Sequence, residues 1–168
     1  MTRRAGRAIL AAMISVERIL CPVDFSETSQ HAFRYALLLA QKFAAELVIL
    51  HVIEDAPVFA AFGGAADLNL SAEAEKAARR ELAELLAGAD PGSARLRSEI
   101  VRGRTYRTIL SFATEHRSDV IVMGTHGRSG LEYAILGSVT VRVMRHAPCP
   151  VLIVRHPKAK ELLQAERK

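Results

Sequence analysis

Tryptophan is absent from the 168 residues, and the other aromatics amount to six phenylalanines and three tyrosines. Proteins that grip nucleic acid set aromatic side chains among basic ones on a folded face, so this scarcity argues against DNA or RNA binding. There are two cysteines, Cys21 and Cys149. Two thiols cannot make a disulfide framework; they read as free, toward opposite edges of a sheet, in a cytoplasmic protein. No apolar run approaches the ~20 residues that span a bilayer, so no membrane association is expected and the chain reads as soluble. No internal repeat or low-complexity linker divides it.

What is present fits one domain. The length lies within the ~100–200 residues of a single folding unit, enough to bury a core. Half of the residues are hydrophobic, and the formal net charge is +5. Arg3, Arg4 and Arg7 carry three of those charges and residues 155–168 a net three more, which leaves the body between them near −1. The basicity therefore belongs to the ends. Residues 1–12 read as a disordered extension or an upstream start rather than a signal peptide, because the apolar stretch after Arg7 is short and broken by Ser15, Glu17 and Arg18. The domain is expected over 13–155, and a basic tail over 156–168.

Short apolar runs alternate with amphipathic stretches along this body, which predicts a parallel α/β sheet. Strands are expected at 18–23, 47–52, 95–101, 120–123 and 151–154. Ser26 is placed to cap a helix whose apolar side comprises Ala32, Phe33, Ala36, Leu37, Ala40 and Phe43. Residues 56–69, with Pro57, Phe59 and Phe62, read as an irregular mobile loop. A helix follows over 71–86, with Glu73 and Glu75 favourably placed in its first turn. Further helices are expected at 105–116 and 138–145.

The most telling segment is Gly124–Thr140, GTHGRSGLEYAILGSVT. It leaves the buried strand Val120–Met123 through glycine and ends at a helix start. Glycine turns sharply and lets backbone N–H groups approach a ligand, and a helix N-terminus presents free donors and a positive dipole end. Together they read as a phosphate cradle. The spacing is Gly124-x2-Gly127-x9-Gly137-Ser138, which has neither the lysine of a P-loop nor the spacing of the dinucleotide fingerprint. Hydroxyls at Thr125, Ser129, Ser138 and Thr140 can add hydrogen bonds to phosphate oxygens. Arg128 reads either as a cation for the terminal phosphates or as a solvated loop side chain. His126 reads as a brace for the turn, and the six histidines show no metal spacing. No nucleophile elbow or carboxylate pair announces catalysis.

Three motifs in this order resemble the universal stress protein family, in its ATP-binding branch: Ile19–Ser26 (ILCPVDFS), His51–Ile53, and Gly124–Thr140 followed by Pro148–Val154 (PCPVLIV). The resemblance implies a single doubly wound five-stranded parallel sheet of order 3-2-1-4-5. In such sheets ligands bind beyond the strand ends where the order reverses, here between the first and fourth strands. It implies ATP held by Pro22, Val23, Asp24, Val52, Met123, Gly124, Thr125, Gly127, Arg128, Gly137, Ser138, Val139 and Thr140. Val52 would offer its backbone to the adenine edge. Asp24 would meet a ribose hydroxyl or a Mg or Mn ion near the phosphates, or else cap the following helix. A homodimer through Val151–Val154 is implied as well, acting with an unknown protein partner in stress response. The chain departs from common members at Val23, where many carry threonine, and near Thr105, where many carry proline. A nucleotide-dependent regulator is favoured over the alternative, a slow metal-dependent ATPase or phosphotransferase, because no group stands out to activate water.

Overall fold

The five expected strands form one parallel sheet in the computed structural model, which describes residues 15–54, 65–125 and 136–155. The expected extension at 1–12, the tail at 156–168, the loop residues 56–64 and the cradle residues His126, Gly127, Arg128 and Ser129 lie outside the described residues. In chain order the elements are β1 (Arg18–Pro22), α1 (Glu27–Phe43), β2 (Glu46–Ile53), α2 (Ala65–Ala87), β3 (Arg95–Arg102), α3 (Thr105–Glu115), β4 (Val120–Gly124), α4 (Ser138–His146) and β5 (Val151–Val154). Their spatial order is β3-β2-β1-β4-β5, with each neighbouring pair parallel. The expected reversal falls between β1 and β4.

Successive side chains of a strand point to opposite faces. Ile19, Cys21, Leu47 and Ile49 pack on one face with α1 and α2, while Leu20, Val48, Leu50, Ile121 and Met123 pack on the other with α3 and α4. Both faces are covered, which is why these strands read as unbroken apolar runs rather than alternating ones. Among the described residues no helix is long and apolar enough to cross a membrane.

Two helices differ from expectation. Ser26 caps α1, its Oγ accepting from Ser29 N–H at 3.2 Å, and Ala44 ends the helix in the left-handed conformation at φ 51°. Ala32, Phe33, Ala36 and Ala40 are buried, but Phe43, expected beside them, is 54% exposed. It sits in the last turn, where the chain swings through Ala44 into β2 and no layer remains to cover it. Helix α2 begins at Ala65 rather than Ser71, so residues 65–69 are helical. Alanine is the strongest helix former, and Ala65 and Ala66 extend the helix backward. Glu75 is consequently interior to the helix, where Arg79 bonds it at 2.6 Å and Arg102 of β3 approaches to 3.7 Å. The Arg79 hydrogen bond is the main cause of its lowered pKa.

Candidate functional site

The crevice opens where β1 stops. Pro22 is its last residue to pair with β2, opposite Leu50, and Val23 N–H still donates to Leu50 C=O at 2.9 Å. Backbone groups alternate sides along a strand. Val52, two residues past Leu50, therefore turns its N–H and C=O toward β1, beyond the point where β1 has ended. His51 Nδ1 lies 2.8 Å from Val23 C=O, a bond that requires the proton on Nδ1. Its ring rests against Phe25 at 4.5 Å between centroids.

Phe25 has φ 65°, a left-handed conformation unusual for a bulky residue, which costs about 1–3 kcal/mol. That turn folds Asp24 back over the start of α1. Asp24 Oδ1 accepts from Ser26 N–H at 3.2 Å and from Ser26 Oγ at 2.6 Å. The carboxylate is thus braced by the serine that caps α1, at the lip of the crevice.

The opposite wall is the junction of β4 and α4. A Cβ on Gly124 would stand 2.8 Å from Thr28 Cγ2 and 3.2 Å from the Thr28 backbone. The missing side chain serves the close approach of α1 to β4, a purpose the ligand-centred reading of the sequence overlooked. Thr125 is buried, with its N–H donating to Val154 C=O at 3.0 Å and its C=O accepting from Gly137 N–H at 2.8 Å. Thr140 is also buried, and its Oγ1 donates to Gly124 C=O at 3.1 Å. These bonds seat the start of α4 against the end of β4. Gly137 is the N-cap and no side chain caps the helix. The N–H groups of Ser138, Val139 and Thr140 precede the first intrahelical donor, Val141, and among the described residues they have no backbone acceptor, so they suit an anion.

Between these walls lies a cavity of about 590 Å³, lined by Pro22, Val23, Asp24, Val52, Met123, Gly124, Gly137, Ser138, Val139 and Thr140 among others. Its size is that of a small-molecule site. Ten of the expected residues thus come together; Thr125 is not part of the lining, and Gly127 and Arg128 lie outside the described residues. Sequence reasoning missed Phe25, the α2 residues Ala74, Ala77, Ala78 and Glu81, and Thr105 and Ile109 of α3. Alanines at helical spacing are the one signal available there. They keep α2 thin where it faces the cavity.

Asp24, Glu54 and Glu81 give the lining an acidic cast. Among the described residues no three His, Cys, Asp or Glu side chains gather as a metal site. Asp24 with nucleotide phosphates would suit Mg, which is commonly held by one or two carboxylates plus phosphate oxygens rather than by a protein cage.

Residues 15–155 match the universal stress protein family. Universal stress protein MJ0531 of Methanocaldococcus jannaschii is 34% identical over 143 residues, covering 84% of this chain and 84% of its own length. The solved structure of MJ0577, from the same organism, agrees with a TM-score of 0.75 at 27% identity, over 84% of this chain and 97% of that one. A universal stress protein solved in complex with cAMP shares the fold at a TM-score of 0.59 and 24% identity, over 85% of this chain and 99% of that one. Motif order, sheet topology and these matches agree: the chain belongs to the universal stress protein family.

Proposed function

We propose that this protein binds ATP in the crevice between β1 and β4 and acts as a nucleotide-dependent regulatory dimer in stress response. The observation that carries the reading is the 590 Å³ cavity at the topological reversal, where a strand-end backbone, a braced carboxylate and an uncapped helix start face one another. Adenine lies against Val52, whose N–H and C=O read its edge, with Met123 and Val139 packing the ring. Asp24 meets the ribose. The phosphates run to the first turn of α4 and to the cradle that includes Gly127 and Arg128. Should a Mg or Mn ion bind with them and screen their charge, Asp24 would hold it in place of meeting the ribose. The cAMP complex is a protein of this fold holding an adenine nucleotide; for this chain the reading rests on its own crevice.

Holding is favoured over hydrolysis. A general base must be aimed at an attacking water, whereas one Asp24 oxygen is occupied by the Ser26 N–H and hydroxyl. The partner in the dimer is a second copy, joined along β5, where Leu152 is 40% exposed. Calorimetric titration with ATP and Mg is the direct test. Gly137→Val puts a β-branched side chain against the first turn of α4 and is expected to abolish binding while circular dichroism stays native. Undiminished affinity in that variant would remove the cradle from the reading, and turnover of ~1–10³ s⁻¹ would favour the enzyme instead.

A further inference from the structure

The described wall of the cavity is acidic, and Arg128, which the reading above puts at the phosphates, lies outside the described residues. Asp24, Glu54 and Glu81 line the cavity, and among the described residues that do so there is no lysine or arginine. Helix-terminal N–H groups supply roughly half a positive charge, which is far short of a triphosphate's demand. A source of positive charge lies one turn away. Arg142 follows Ser138 by four residues on α4, hence on the same side of the helix, and helical side chains lean toward the N-terminus. An arginine at this position is long enough to swing toward the first turn of α4.

The Arg142 guanidinium is held. Arg142 Cζ stands 4.9 Å from the ring centroid of Tyr106, the neighbour of the cavity-lining Thr105. Arg107 Nε donates to the Tyr106 hydroxyl at 3.0 Å. Among the described residues neither Arg142 nor Arg107 has a carboxylate within 4.0 Å, whereas Arg79, Arg80, Arg97 and Arg102 each do. The Tyr106 phenol is correspondingly lowered, by the Arg107 hydrogen bond first and then by the charges of Arg107, Arg142 and Arg104. Stacking on a ring leaves the in-plane N–H donors of a guanidinium open, in the fork geometry that phosphate oxygens match.

We propose that Arg142, held over the Tyr106 ring, is a further side chain that receives the phosphates of a nucleotide bound in this crevice, and that it makes the site select polyphosphates over mononucleotides. The inference rests on the nucleotide reading above and adds a residue to it. Tyr106 is a positioning residue and acts through Arg142.

The test is calorimetric titration of the full chain with adenosine, AMP, ADP and ATP, each with Mg. Arg142→Ala is expected to weaken ATP about 10-fold or more, AMP less, and adenosine not at all. Tyr106→Phe, which keeps the ring, should bind ATP as the wild type does, and Tyr106→Ala should lose part of what Arg142→Ala loses. Arg145→Ala removes the same charge from the last turn of α4 and should change nothing. The inference is overturned if Arg142→Ala binds ATP normally, if it loses adenosine equally, or if Arg145→Ala matches it. A wild-type protein that binds none of the four ligands overturns the nucleotide reading and this inference with it, while adenosine binding that ignores phosphate number overturns this inference alone.

Discussion

Cys21 shows what a single buried atom does to the stability curve. It sits mid-sheet opposite Ile49, and burial pushes its thiol up to about 12 from an ordinary 9.0. A raised pKa means that the folded chain keeps a proton which the unfolded chain releases. Its stabilisation is therefore complete below pH 9.0 and is lost as pH climbs toward 12, at about 1.4 kcal/mol per pH unit. Urea titrations at pH 8 and pH 10.5 should show wild type losing more stability than Cys21→Ala, whose baseline is lower but whose slope is flatter. Parallel slopes would mean that the thiol ionises in the folded state. Cys149 is half-buried and its pKa is raised by desolvation, then by Asp119; it should react with a thiol reagent before Cys21 does. Residue roles were the least legible layer of the sequence. The hydroxyl of Thr140 and the missing side chain of Gly124 were recognisable as cradle chemistry, but contacts with Gly124 C=O and Thr28 arise only when distant segments meet.

At the scale of elements, hydrophobic period and cap chemistry carried most of the information. Ser26 was identifiable as a cap because a hydroxyl ahead of an apolar helical stripe has one economical use, and β1, β2 and β4 were identifiable because both their faces are buried. The start of α2 was not, since a stretch of alanine and glycine shows no stripe. The cavity-facing side of that helix escaped notice for the same reason. The α1–β4 contact offers a direct check. Gly124→Ala forces a methyl onto Thr28 at 2.8 Å, and overpacking of this kind costs about 1–3 kcal/mol. Chemical denaturation should show that loss. Adding Thr28→Ser removes the Cγ2 contact and leaves the 3.2 Å backbone contacts, so the double variant should recover only part of it. Full recovery, or no loss in the single variant, would mean that α1 shifts freely.

For the whole molecule, the two margins of the sheet differ. On β3, Arg95, Arg97, Ser98 and Glu99 are charged or polar, with Arg97 paired to Glu99 at 2.7 Å. On β5 the sequence is Val151, Leu152, Ile153 and Val154, without a charge. Charged side chains discourage pairing along an edge and apolar ones invite it. Ile153→Pro removes a backbone donor from β5 and should shift the protein toward monomer in sedimentation; an unchanged mass would count against that edge as the contact. That such a contact would be two-fold is implied by the family resemblance alone, because nothing in a single sequence says which margin of a sheet stays open.

The unlike margins also decide where growth stops. If two copies join β5 to β5, the widened sheet would present β3 at both extremities, and a third copy would meet Arg95, Arg97, Glu99 and Arg102 there rather than a bare apolar ribbon. Assembly would then be self-terminating, since a dimer built this way would hide its apolar ribbon and leave outward only margins that discourage growth into a fibre.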